Sequence, residues 1–181
     1  IPEAWDVKQF KEVLTIVYGK SQKGVEVEES DIPILGTGGI IGWSKEAMYD
    51  KPSVLIGRKG TINKPQYMAS PFWTIDTLFY TKINQDLVIP KFIYYVFQTI
   101  NWLRYNEATG VPSLSAANIS TIRFAKPSIE EQYQIISTLS KMDEKIELEQ
   151  RKAKVLRQMK RGLMQVLLTG KRRVKTGMKN S

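Results

Sequence analysis

The 181-residue chain contains no cysteine and no histidine. Without cysteine it has no disulfides and no thiolate zinc sites, which is compatible with a cytoplasmic protein. Without histidine it has no imidazole base, no serine–histidine relay and no histidine metal ligand. Most hydrolytic and redox chemistries are hard to build from what remains. Long apolar runs are missing too: nothing approaches the roughly 18 residues of a membrane span, so no membrane role is expected. The opening residues Ile1-Pro2-Glu3-Ala4-Trp5 lack the basic-then-apolar pattern of a signal peptide, and the absence of an initial Met is what a processed or trimmed product would show. No internal repeat and no Ser/Gly linker is visible.

The composition that is present, 42% hydrophobic and 25% charged, is that of an ordinary folded chain, long enough for one domain and an appendage. The net charge of +9 is unevenly placed. Residues 1–128 carry 14 basic and 12 acidic side chains, residues 129–170 carry 8 and 6, and the tail from Lys171 carries five basic residues and no acid. Such a balance suits nucleic acid. It equally suits a solvated tail, expected to be disordered over 171–181, on a nearly neutral body.

The strongest single signal is a long helix. Pro127 disfavours helix at the residue before it. Ser128 can cap, with Glu131 at capping-box spacing. Gly170 suits a left-handed stop, and a basic run follows it. Between them lie about 40 residues, or roughly 60 Å. Apolar residues recur at Ile135, Leu139, Met142, Ile146, Ala153, Leu156, Met159, Leu163 and Val166, with Glu149 in the one gap. Steps of four and three alternate, except for a doubled three at Met159, which is a heptad seam. Gly162 is the point of greatest weakness, since glycine costs about 1 kcal/mol inside a helix. A small domain is only ~30 Å across, and the preceding residues need their apolar side chains for their own core. A partner helix is therefore favoured over folding back on the domain.

The rest reads as one α+β unit with a mixed or antiparallel sheet and short helices over residues 1–126, followed by the helix over 127–170. Residues 5–18 mix helical and extended spacing. Residues 19–31 read as a surface loop. Ser53 to Ile56 reads as a buried strand, Phe72 to Ile83 as another, and Ile119 to Phe124 as a last one. Ile89-Pro90 opens a helix whose apolar face is Phe92, Ile93, Val96, Phe97, Ile100 and Leu103. Ala108 to Ala117 reads as a loop of small residues.

Several patterns suggest chemistry. Gly36-Thr37-Gly38-Gly39 invites a phosphate-loop reading but lacks the further glycine that G-x-G-x-x-G needs, because Ile41 occupies its place, and Gly19-Lys20-Ser21 has Leu14 where a phosphate loop needs glycine. Both are expected to be tight turns. Asp6-Val7-Lys8 and Asp143-Glu144-Lys145 contain an acid-x-lysine fragment of nuclease sites, but so short a pattern arises by chance in a chain with this many charges. No Pro-Pro pair suggests a base methyltransferase loop. Catalytic residues and metal ligands are accordingly not expected. Gly57-Arg58-Lys59-Gly60-Thr61, with Asn63 and Lys64 behind, places cations on a turn. It is either a solvated hairpin or a contact to phosphates and base edges. The segment Thr109-Gly110-Val111-Pro112-Ser113-Leu114-Ser115 has hydroxyls without charge and reads first as a structural loop.

Taken in order, these marks resemble the DNA-specificity subunit of type I restriction-modification systems. The marks are Ile1-Pro2-x-x-Trp5, then Gly36-x-Gly38-Gly39-Ile40-Ile41-Gly42, then Ile56-Gly57-Arg58-Lys59-Gly60, then Thr109-Gly110-x-Pro112-x-Leu114. The end shows Pro127-Ser128-Ile129-Glu130-Glu131-Gln132, then Ile136, Leu139, Met142-Asp143 and Ile146, and finally Leu167-Leu168-Thr169-Gly170-Lys171. The resemblance implies a non-catalytic adaptor that binds double-stranded DNA and brings methyltransferase subunits, and through them a restriction subunit, to a two-part target. It implies no cofactor on this chain, S-adenosylmethionine belonging to the methyltransferase partner. Such subunits carry two target-recognition domains, each followed by a helix, with the helices paired antiparallel as a ruler. This sequence shows one domain and one helix, so a homodimer through Ile135, Leu139, Met142, Ile146, Ala153, Leu156, Met159 and Leu163 is the simplest completion. It would read the same half-site twice in inverted orientation. Loop position and chemistry, not the resemblance, select Arg58, Lys59, Thr61, Asn63 and Lys64, then Thr37, Ser44 and Lys45, as DNA-contacting candidates. In a fully overlapped antiparallel pair Glu149 would approach its own copy, so either the overlap is offset or Lys145, Arg151 or Lys152 neutralises it. A coiled-coil scaffold without a DNA role, or a competitor of a full-length specificity subunit, are the alternatives.

Overall fold

The computed structural model describes residues 2–174. Ten strands and three α-helices appear among them, in an α+β order. Strands β1 (Asp6–Gln9) and β10 (Arg123–Lys126) pair antiparallel, joining the two ends of the first unit. A four-stranded sheet has the order β2 (Leu14–Tyr18), β9 (Leu78–Ile83), β6 (Ser53–Gly57), β7 (Gln66–Met68), all antiparallel. A second has the order β3 (Glu26–Val27), β5 (Gly39–Ser44), β4 (Ile32–Gly36), β8 (Trp73–Thr74). Its β4–β8 pair is parallel, so the fold contains mixed as well as antiparallel pairing.

The β6 strand is buried at every residue, as its unbroken apolar run indicates. Its one polar residue, Ser53, is satisfied by the carbonyl of Thr81 at 2.8 Å. The main core gathers Phe10, Val54, Ile56, Phe79, Phe97 and Trp102 around α1 (Pro90–Thr99). A smaller cluster of Leu35, Leu55, Phe72, Leu78 and Tyr80 lies on the other side of β6. Side chains alternate across a strand, so Val54 and Ile56 enter one cluster and Leu55 the other.

Four sequence expectations need correction. Phe72 to Ile83 is not one strand. A turn closed by the Leu78 N–H on the Ile75 carbonyl, 3.0 Å, splits it into β8 and β9, which join different sheets. Ile119 is not in a strand: Ser115 accepts from the Asn118 amide at 3.2 Å and caps α2 (Ala116–Thr121), so only Arg123 onward is extended. Capping outweighs β propensity over so short a stretch. Leu103 is 58% exposed, because α1 ends at Thr99 and Trp102 takes the core position, its indole N–H donating to the Phe97 carbonyl at 2.8 Å. The 19–31 stretch is not all loop, since β3 lies within it.

The long helix α3 runs unbroken from Ile129 to Leu167, 39 residues. The Ser128 hydroxyl accepts from the Glu131 amide at 3.2 Å, as the cap requires. The Glu131 carboxylate, at the box position, accepts the Trp5 indole N–H at 2.9 Å. Gly162 meets open space and does not interrupt the ladder. Gly170, at φ +73°, is left-handed and donates to the Leu167 carbonyl at 3.3 Å. The chain divides into two units between Ile136 and Ser137. Within the first, Ile135 and Ile136 pack against the main core. Within the second, Leu139, Met142, Ile146, Leu156, Met159 and Leu163 are 37% to 64% exposed, and Ala153 is half-buried. Glu149 is paired with Lys152 at 2.9 Å, whereas Arg151 is taken by Glu147 at 2.6 Å. No helix among the described residues is long and apolar enough to cross a membrane. Of the tail expected to be disordered, residues 175–181 lie outside the described residues.

Candidate nucleic-acid interface

The turn after β6 is built by its glycines. A side chain on Gly57 would meet the Thr61 carbonyl oxygen at 2.1 Å, so only glycine permits the chain to double back there. Gly60 has φ +84°, a left-handed conformation that glycine adopts without strain. Buried Ile62 then pins the returning chain to the core. Arg58 and Lys59 are thereby held at the end of a buried strand, not on a free hairpin.

Neighbouring segments clamp this turn. The Arg58 and Lys59 amides both donate to the Thr77 carbonyl, at 2.7 and 3.2 Å, from the β8–β9 connection. On the other side the Gly60 amide donates to the Pro112 carbonyl and the Leu114 amide to the Arg58 carbonyl, each at 2.9 Å. The segment Thr109 to Leu114, which reads in the sequence as a separate structural loop, is thus hydrogen-bonded to the cationic turn. Its own shape is set by Asn106, whose Oδ1 accepts from the amides of Ala108 and Ser113 at 3.1 and 2.8 Å. The Glu107 carboxylate is occupied by the Ser115 hydroxyl at 2.6 Å and by the Asn118 side-chain amide.

The expected contact residues separate into two groups. Arg58, Lys59, Thr61, Asn63 and Lys64 lie on the one loop between β6 and β7; Lys59, Asn63 and Lys64 are exposed, Arg58 and Thr61 half-buried. Thr37 joins them at the tip of the β4–β5 hairpin, because the Gln66 side-chain amide donates to the Gly36 carbonyl at 2.9 Å. The Gly36–Gly39 segment is therefore the tight turn expected of it. Ser44 and Lys45 sit at the opposite end of β5, roughly 17 Å from the tip at about 3.4 Å per residue. Lys45 is exposed. Ser44 is fully buried, and its hydroxyl donates to the Glu46 carbonyl at 2.7 Å. It shapes a turn and presents nothing to a ligand.

Two groups that sequence reasoning passes over complete the site. Tyr18, at the end of β2, is 52% exposed, and its ring lies 5.4 Å from the Arg58 guanidinium carbon. The Asp76 carbonyl accepts from Arg58 Nη1 at 3.0 Å. Tyr18 shares the inward parity of Leu14 and Ile16, so alternation alone assigns it to the core. It escapes burial only because β2 outruns the core at that end. The chemistry assembled here is cationic and hydrogen-bonding, with no group of three or more acidic side chains among the described residues placed to hold a metal. It can bind anions and base edges.

Comparison with known proteins agrees with this picture. The family described as type I restriction modification DNA specificity domain matches residues 2–158. The chain is 29% identical over 118 residues to the type I restriction enzyme EcoprrI specificity subunit of Escherichia coli, covering 64% of this chain and 29% of that protein. It is 24% identical over 181 residues to the MjaIX specificity subunit of Methanocaldococcus jannaschii, covering 86% and 42%. In fold it is similar to the crystal structure of a type I restriction-modification S subunit from M. genitalium, with a TM-score of 0.70 at 15% identity, over 90% of this chain and 45% of that one. The chain thus spans less than half the length of each of these three. With the match running from the first strand to well inside α3, the chain belongs to the type I restriction modification DNA specificity domain family.

Proposed function

We propose that this chain reads DNA sequence for a type I restriction-modification system in the cytoplasm, as a non-catalytic subunit without a cofactor of its own. Residues 1–126 read double-stranded DNA, and residues 127–170 form the spacer and dimerisation helix. The supporting observation is family membership joined to a cationic loop that is rigidly mounted by backbone hydrogen bonds on both sides. Arg58, Lys59, Thr61, Asn63, Lys64 and Thr37 face the duplex, with Lys45 as a more distant phosphate contact. Phosphate contacts supply much of the affinity, which makes it steeply salt-dependent.

The exposed heptad seam of α3 supports pairing with a second copy of the same helix as an antiparallel coiled coil. The homodimer reads an inverted two-part target and docks methyltransferase subunits, with the restriction subunit joining through them. S-adenosylmethionine is bound by the methyltransferase partner.

The test is selection from random-sequence duplexes by the chain assembled with its methyltransferase subunits. A single two-part motif with inverted identical halves is expected. Enrichment of no motif at low salt would instead mean a scaffold or a competitor of a longer specificity subunit.

A further inference from the structure

We propose that Arg58 reads a guanine, and that Tyr18 and the Asp76 carbonyl are the positioning groups that aim it. The proposal rests on the DNA-reading function above and adds the base that is read and the residues that orient its reader. Among the cations of this loop, Lys59 and Lys64 are exposed and act as flexible point charges. Arg58 differs in three ways. Nη1 donates to the Asp76 carbonyl at 3.0 Å. The guanidinium lies over the Tyr18 ring at 5.4 Å. That ring is itself held edge-on against buried Phe79, with centroids 4.9 Å apart.

The turn does not need this side chain for its own shape. The Arg58 backbone is already bonded at both polar atoms, to Thr77 and to Leu114. No carboxylate forms an ion pair with the guanidinium among the described residues. The Asp76 group that meets it is a carbonyl, which takes one of five donors and leaves the charge uncompensated. A guanidinium fixed in orientation, half-buried and still holding free donors is a fork prepared for two adjacent acceptors. In the major groove, guanine N7 and O6 present that pair, and no other base does. Prior immobilisation also lowers the entropy lost on contact. A phosphate also offers two adjacent oxygens, but it carries no sequence information, so the effect of losing the fork on one base position separates the two contacts.

The experiment repeats the random-duplex selection with the assembled complex carrying Arg58→Lys, Tyr18→Leu or Tyr18→Phe, with thermal melting of each. Lysine keeps the charge and loses the fork. Arg58→Lys should reduce discrimination roughly ten- to a hundred-fold at one G·C position, the same one in each half of the motif, and leave the other positions intact. Tyr18→Leu should relax the same position at an unchanged melting temperature, and Tyr18→Phe, which keeps the ring, should restore it. The proposal is overturned if Arg58→Lys weakens binding evenly at all positions, which marks a phosphate contact, if it changes nothing, or if the relaxed position is an A·T pair. A wild-type complex that enriches no motif removes the DNA-reading function itself, an outcome distinct from these.

Discussion

Charge alone does not decide what a residue on the β6–β7 loop does; its restraints do. Arg58 is held by a ring and a carbonyl, whereas Lys59 and Lys64 are exposed on the same loop. Lys59→Ala and Lys64→Ala should therefore weaken duplex binding evenly across sequences, and each should lower the slope of log affinity against log salt by about 1 for every copy of the chain bound. A titration across salt concentrations reads this, and an unchanged slope for both would remove them from the interface. Two carboxylates bear on acid stability. Glu12 lies below its ordinary value chiefly because the Gln9 amide donates to it, with Lys8 assisting. Glu130 is lowered by its own backbone amide and then by the Ser128 hydroxyl. A carboxyl lowered on folding stabilises above its unfolded value, near 4.5, and that stabilisation is lost as pH falls through the native value. Glu12→Gln with Glu130→Gln should flatten the fall of melting temperature below about pH 4.5. A profile parallel to wild type would show that neither contributes.

At the scale of elements, the first turns of α3 depend on one polar side chain. Gln132 is fully buried; its Oε1 accepts from the Ile89 amide at 2.9 Å, and its Nε2 donates to the Pro127 carbonyl at 3.1 Å. It thereby ties α3 to the residue that precedes α1. Gln132→Leu would keep the volume and leave both backbone groups without partners. A loss of about 2–3 kcal/mol in unfolding free energy is expected, measurable by denaturant titration. A loss below about 0.5 kcal/mol would mean that water replaces the side chain. The N-terminus of α1 has a second fastening, since Lys91 Nζ lies over the rings of Tyr67, Tyr94 and Tyr95 at 4.7, 4.8 and 5.4 Å. Burial raises the Tyr67 phenol above its ordinary value.

For the molecule as a whole, the proposed assembly rests on the exposed apolar face of α3. Its seam widens toward the C-terminal end, where Leu163, Met164, Leu167 and Leu168 are all exposed. Near the middle it narrows to Glu149 paired with Lys152, both exposed, an ion pair worth little in water. Leu139→Glu and Leu156→Glu each bring a charge onto the seam, and each should convert a dimer to monomer in sedimentation without loss of domain stability. An unaltered sedimentation coefficient in both variants would move the interface elsewhere.

Periodic and local features were legible in the chain by itself. The heptad seam, the Ser128 cap, the Gly170 stop, the buried β6 run and the glycine turns each depend on residues within a few positions of one another, so spacing and residue chemistry suffice. The absence of cysteine and histidine likewise excluded whole classes of chemistry before any fold was considered. What only the tertiary structure decided depends on contacts between distant segments. Spacing cannot show that Thr109–Leu114 is bonded to the Arg58 turn, that Tyr18 leaves the core to support a guanidinium, or that Ser44 is consumed in a buried turn. Nor can it show that Phe72 to Ile83 divides between two sheets. Local propensity is worth tenths of a kcal/mol per residue, and pairing and burial between remote strands outweigh it.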